Sequence, residues 1–484
     1  MRILYLDIDT LRPDHLGCYG YHRDTSPNLD RLSAEGVRFD RCYVSDAPCL
    51  PSRASMFTGM FGIHSGVVGH GGTAADLRPV GRDRMFGTRS QRGGFIENLA
   101  MRGIYPVSIS PFAQRHSAWW FYAGWREMLN TGKNGGESAE EIVPHALDWI
   151  GRNAKRDNWM LHVNIWDPHT NYRTPEDFGN PFQDEPVGSW YTEEFRQRQW
   201  DSFGPGTPQE PYGAYGKFPG SARQPRQIGS LADYKLAVDG YDTGIRYADL
   251  WCGRILNALT DQGVLDDTVV IVTSDHGETQ GELGVMGDHA LADHITSRVP
   301  MIVRWPGLPG GRVDAGLYNQ TDIAATVLEL LGGQVPKHWD GRSFAPAFKA
   351  GQDAGRDYVV FSQCCWSCQR SVRWGDHVFL RTYHTGLKNL PGRMLFNVAA
   401  DPHELHDLAP SQPALADRGQ SLIEQWTSDM MSTSPYQTDP LWTVMREGGP
   451  MHTRNNAKDY CERLRATGRA HHAEFLEKHP TGLA

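Results

Sequence analysis

Apolar runs of strand length alternate with helical apolar spacing over roughly the first 350 residues, the pattern of strands joined by crossover helices. Residues 3–8 read as the first buried strand, with further strands at 107–110, 159–165, 268–273 and 300–303. Helical patterns cover 26–35, 53–61, 137–153, 231–262 and 319–331. In 231–262 the apolar positions Leu236, Val238, Ile245, Leu250, Ile255 and Leu259 predict one face packed on the sheet.

Between 171 and 229 the pattern breaks into Pro, Gly, Gln and aromatic residues with no sustained period. So long an irregular stretch inside a compact unit is typically functional or disordered. Trp190, Tyr191, Trp200, Tyr212 and Tyr215 are costly to leave in water, so the segment reads as a lid or subunit contact near a site, or an ordered surface excursion. From 356 onward, short alternating runs at 358–362, 370–374, 377–383 and 394–398 predict a small antiparallel sheet. A polar, helical tail from about 440 is expected to wrap back over the body.

The length, 484 residues, exceeds what one core supports, which favours a large unit at 1–355 and a smaller one at 356–484. Net charge is −9 with Lys and Arg scattered, which argues against a nucleic-acid partner. Met1-Arg2 leads straight into a short apolar run followed by Asp7 and Asp9, so neither a signal peptide nor a membrane span is read. The expected location is the cytoplasm, or outside it if a leader has been removed. Eight cysteines in so long a chain do not make a disulfide framework. Cys365 and Cys368, in Cys364-Cys365-Trp366-Ser367-Cys368, form one Cys-x-x-Cys without a second ligand pair nearby, and are read as reduced thiols.

The most informative segment is Cys49-Leu50-Pro51-Ser52-Arg53-Ala54-Ser55-Met56-Phe57-Thr58-Gly59-Met60. Its Cys-x-Pro-Ser-Arg and Thr-Gly resemble the maturation signature of type I, formylglycine-dependent sulfatases. The resemblance implies that a maturation enzyme oxidises Cys49 to formylglycine, whose hydrate attacks sulfur. A thiolate alone would stop at an inert thiosulfate ester, whereas the second hydroxyl of a gem-diol can expel sulfate. It also implies an alkaline phosphatase-like fold: a large mixed, mainly parallel sheet flanked by helices, with a smaller C-terminal α+β domain. Residues 395–408 look like the close of sulfatase C-terminal domains.

Ligands of open α/β sheets gather at the carboxyl ends of strands. Asp9 closes the first strand, and Asp275-His276 follows the strand at 268–273. Both segments resemble the metal-binding motifs of the alkaline phosphatase superfamily, with Cys49 completing the ligand set. Thr10 stands where sulfatases commonly carry a second aspartate. Asp7, on the same strand face as Asp9, is a further candidate ligand or a carboxylate supporting the site from behind. Calcium is the ion the resemblance implies. His276 in place of an amide also admits manganese or another transition ion.

By the same resemblance Arg53, one helical turn from Cys49, holds the formylglycine hydroxyls. His169, in Trp166-Asp167-Pro168-His169, contacts substrate and protonates the leaving group. Many sulfatases place a lysine and a histidine where this chain has Arg115-His116; either residue substitutes there, or neither does. His289 falls at or beside a position where a sulfate-binding lysine is expected. His70, between glycines, is a candidate for the pocket wall.

The resulting expectation is a hydrolase that releases sulfate from a small-molecule or oligosaccharide sulfate ester, with a homo-oligomer as a reasonable assembly. A phosphonate monoester or phosphodiester hydrolase of the same superfamily is the first alternative. A non-catalytic relative with unconverted Cys49 is the second.

Overall fold

The computed structural model describes residues 1–78, 93–202, 210, 220–434 and 436–479. Tyr212 and Tyr215 lie outside the described residues. The strands of the main sheet are β1 (Arg2–Ile8), β2 (Val37–Tyr43), β3 (Tyr105–Ile109), β4 (Glu127–Leu129), β5 (Trp159–Ile165), β6 (Thr268–Thr273), β7 (Arg298–Val299), β8 (Met301–Arg304) and β9 (Arg312–Asn319). Their order is β7-β2-β8-β6-β1-β5-β3-β4, with β9 on the other side of β2. β1 is central and parallel to both neighbours, Asp7 standing opposite Asn164 on β5 and Thr273 on β6. Shared direction and register bring the carboxyl ends of β1, β5 and β6 to one edge.

The half of the sheet beyond β6 is antiparallel where β8 joins β6 and β2 joins β8. Strands β2 and β9 are absent from the pattern read in the sequence. In β2 the buried Val37, Phe39, Cys42 and Tyr43 are interrupted by half-buried Arg38, Asp40 and Arg41, a sequence too polar to resemble a buried parallel strand.

Helix α1 (Cys49–Thr58) is buried along its whole length and starts four residues before the predicted position. Pro51 is tolerated there because N–H groups of a first turn have no partner within the helix. The helix stops at Gly59, whose φ of 75° is left-handed and whose missing side chain leaves room for the Trp339 indole. Helices α2 (Ala139–Asn153), α3 (Glu193–Trp200) and α4 (Leu231–Asp261) follow. On α4 the core face is Ala237, Val238, Tyr241, Ile245, Ala248, Cys252, Ile255 and Leu259, whereas Leu236 and Leu250 face solvent, contrary to the periodicity reading.

The second sheet runs β13 (Arg393–Asn397), β12 (His377–His384), β11 (Cys368–Trp374), β10 (Tyr358–Gln363), with Asp46–Ala47 added parallel to β10. The two residues immediately ahead of the α1 approach are therefore held by the C-terminal sheet. Alternate side chains of β10 serve two cores: Val359 and Phe361 pack toward Tyr43 and Leu317, and Val360 toward α5 (Pro413–Thr433). Helices α6 (Ala457–Ala466) and α7 (Ala470–Lys478) close the chain, and the Arg469 guanidinium lies 4.3 Å above the Trp200 ring of α3.

Where it is described, the aromatic segment is packed. Tyr191 stacks on Tyr234 at 3.7 Å, Trp190 on His403 at 4.2 Å, and Gln224 accepts from Thr170 Oγ1 at 2.9 Å. Among the described residues no helix is long and apolar enough to cross a membrane. All eight cysteines are free, and Cys364 and Cys368 pack with Val68, Leu441 and Val444.

Candidate active site

The site forms where the carboxyl ends of β1, β5 and β6 meet the start of α1. Past Asp9 the chain turns sharply at Thr10, with φ of 56°. This costs a β-branched residue about 1–3 kcal/mol. The turn is held by Thr10 N–H donating to Asp275 Oδ1 (3.2 Å) and by Tyr241 O–H donating to the Thr10 carbonyl (2.6 Å).

Arg53 is wholly buried amid three carboxylates. Nε reaches Asp7 Oδ2 at 2.7 Å, Nη2 reaches Asp7 Oδ1 and Asp9 Oδ2 at 3.0 Å, and Nη1 reaches Asp275 Oδ2 at 2.6 Å. One guanidinium cannot balance three buried anions, and the charge is unevenly shared. Burial by itself would raise Asp7, yet Arg53 and His162 bring it down to about 2. Burial pushes Asp9 well up, reinforced by the nearby Asp275. Neither Asp9 carboxylate oxygen accepts a hydrogen bond among the described residues.

Buried oxygens that accept no hydrogen bond are what a divalent cation would satisfy. Asp9, Cys49, Asp275 and His276 offer ligand atoms within 4.8 Å of one another, and Cys49, His276 and His289 form a second, overlapping group. His276 is oriented for the task. Its Nδ1–H donates to the Gly277 carbonyl (2.8 Å), leaving the Nε2 lone pair toward Cys49 Sγ at 3.2 Å. The donor set fits an ion. Asp7 lies outside both groups, its oxygens engaged by Arg53 and His162.

The predicted histidines surround this group. His169 Nε2 lies 4.0 Å from Asp9 Oδ1, while its Nδ1 donates to the Thr170 carbonyl. The His289 ring is 4.2 Å from that of His276. The His116 ring is 4.9 Å from His70, and its Nε2 has no hydrogen-bond partner among the described residues. Arg115 lies over the Trp166 indole at 4.8 Å. Burial pushes His169 and His289 well below the usual imidazole range.

With this geometry in view, comparison with known proteins places the chain. The family model described as Sulfatase matches residues 2–333. The chain belongs to the sulfatase family. A second model, N-sulphoglucosamine sulphohydrolase, C-terminal, matches residues 281–428 of this sulfatase. An N-acetylglucosamine-6-O-sulfatase of Bacteroides thetaiotaomicron is 23% identical over 469 residues, covering 84% of this chain and 82% of its own. A solved structure in complex with its substrate D-glucosamine-2-N,6-O-disulfate has a TM-score of 0.68 at 18% identity, covering 90% of this sulfatase and 99% of its own chain. The phosphonate monoester hydrolase of Agrobacterium radiobacter has a TM-score of 0.69 at 20% identity, covering 89% and 96%. At these identities the structures speak for the fold, the alkaline phosphatase-like architecture expected above.

The sequence reading of this sulfatase missed His452 and Trp366. His452 Nε2 lies 2.8 Å from His70 Nδ1, and its ring stacks on Trp366 at 4.5 Å. Nothing local marks either residue, since His452 is 382 positions from its partner.

Proposed function

We propose that this sulfatase hydrolyses a sulfate monoester of a carbohydrate or aryl alcohol, with Cys49, matured to formylglycine, as nucleophile. The observation that carries this reading is Cys49 itself. It opens a buried helix and faces His276 Nε2 inside a group whose Asp9 oxygens accept no hydrogen bond among the described residues. Formylglycine supplies a hydrated aldehyde, able to attack sulfur and afterwards release sulfate. A divalent cation held by Asp9, Asp275 and His276 supplies Lewis-acid polarisation and orientation; two carboxylates suit calcium, and the imidazole admits manganese.

The chain's own residues do the rest. Arg53 offsets the carboxylate charge beside Cys49 and ties the first turn of α1 to β1 and β6. With Nδ1–H donated to the Thr170 carbonyl, His169 needs a second proton on Nε2 to protonate the departing alcohol oxygen. The anionic sulfate ester supplies the charge that offsets the burial penalty on that imidazolium. His289, His116, His70 and Arg115 line the sulfate and its leaving group.

Ion chromatography of sulfate released from sulfated mono- and oligosaccharides tests the reading, beside Cys49→Ala as control. Release by the native chain and none by the variant is expected. A peptide mass across Cys49 should fall by about 18 Da on conversion to the aldehyde; an unshifted peptide in active enzyme removes formylglycine. Paired aryl sulfate and aryl phosphonate esters separate this activity from phosphonate hydrolysis, and a higher kcat/KM on the phosphonate would overturn it.

A further inference from the structure

The contact between His70 and His452 links the C-terminal part of the chain to the start of α1. Leu50 N–H can only donate, and it points at His70 Nε2 from 3.4 Å. That nitrogen must keep its lone pair, so His70 carries its proton on Nδ1. The same proton is then donated to His452 Nε2 at 2.8 Å, which leaves the His452 proton on Nδ1. Two hydrogen bonds thus determine both tautomers and both ring orientations.

His452 is built in place. Its backbone N–H donates to the Cys365 carbonyl at 3.0 Å, and its ring lies on Trp366. The turn carrying those residues is pinned by Gln363, whose Oε1 accepts from Cys365 and Trp366 N–H and whose Nε2 donates to the His289 carbonyl at 2.8 Å. At the other end, Leu50 is in the first turn of α1, where N–H groups have no helical acceptor. The preceding Pro48 makes no side-chain capping bond. His70 therefore caps the helix that begins with Cys49.

We infer that His452 is a positioning residue of the active site, fixing through His70 the helix start that carries Cys49. This rests on the reading of Cys49 as nucleophile. The Nδ1–H of His70 needs an acceptor. Without one the ring is free to turn, and Leu50 N–H loses its partner.

Three variants of the full chain test this. His452→Phe keeps a ring against Trp366 but removes the acceptor. His452→Gln restores a carbonyl acceptor without the ring, and His452→Ala removes both. On an aryl sulfate, H452F and H452A are expected to lose about tenfold or more in kcat with KM little changed, and H452Q to recover most of the loss. Equal losses in H452F and H452Q would show that restoring the acceptor does not matter and overturn the inference, as would an unimpaired H452F, which would reduce His452 to packing. Imidazole nitrogen NMR of the unmutated protein, with His70→Ala to assign the signal, gives an arm independent of turnover. His70 should show protonated Nδ1 and unprotonated Nε2 in the native chain; the opposite tautomer overturns the inference. A native chain that releases no sulfate but shows the expected tautomer would count against the proposed function alone.

Discussion

The two sides of the site are built on different physics. On one side the carboxyl groups of Asp7, Asp9 and Asp275 and the Arg53 guanidinium are wholly buried and bound to each other at strand ends and a helix start. On the other, His70, His116, His289 and His452 are imidazoles held by few hydrogen bonds and by ring contacts, on segments drawn from across the chain. Buried charge has no tolerance for a missing partner, whereas a neutral ring can lose a neighbour at modest cost. The charged side should therefore fail in stability as well as rate, and the imidazole side chiefly in rate.

The sharpest break is Arg53→Met. It removes the one guanidinium that three buried carboxyl groups share, and breaking one buried pair typically costs about 3–5 kcal/mol. Chemical denaturation should show at least that loss, with activity gone; a variant of native stability would mean that the carboxylates are not ionised together. Cys49→Ala should abolish turnover with the fold kept, since little side chain is removed. Residual sulfate release above a few per cent would displace Cys49 as nucleophile.

Asp9→Asn and Asp275→Asn should each lose metal and rate together, read by elemental analysis beside kinetics. Full occupancy in either would exclude that residue as a ligand. Asp7→Asn, acting through Arg53, should be milder, about 10–100-fold in metal affinity or activity. On the imidazole side, His169→Ala should cost about 10²–10⁴ in rate on an alkyl or sugar sulfate and markedly less on a nitrophenyl sulfate. Equal loss on both substrates would leave His169 as a sulfate contact. Smaller effects than that of His169→Ala on a sugar sulfate belong to His289→Ala and His116→Ala. Each should lose about 10–100-fold, uniformly across leaving groups, as expected for hydrogen bonds to a charged group. Leaving-group dependence in either would move the acid role there.

The same division governs what was legible beforehand. Strands β1, β5 and β6 were readable because a buried parallel strand is a near-continuous apolar run with one meaning. The candidate residues at their ends, Asp9, Asp275-His276 and His169, sit in short contiguous motifs. Strands β2 and β9 were not readable, since a half-buried strand interrupted by charge resembles a loop. Leu236 and Leu250 show the opposite error: helical spacing identifies a possible face, but the neighbours decide which residues it contains.

By itself the sequence determined the main strands, the Cys-x-Pro-Ser-Arg element and the family, because these depend on side chains close together in the chain. Only the tertiary structure decided that Arg53 and His162 engage both oxygens of Asp7 while Asp9, ion-paired with Arg53 through Oδ2, accepts no hydrogen bond among the described residues. It also decided that Asp46–Ala47 completes the second sheet and that His452 meets His70. Each of those outcomes turns on which partner reaches a buried polar atom first, and burial makes that competition costly to lose.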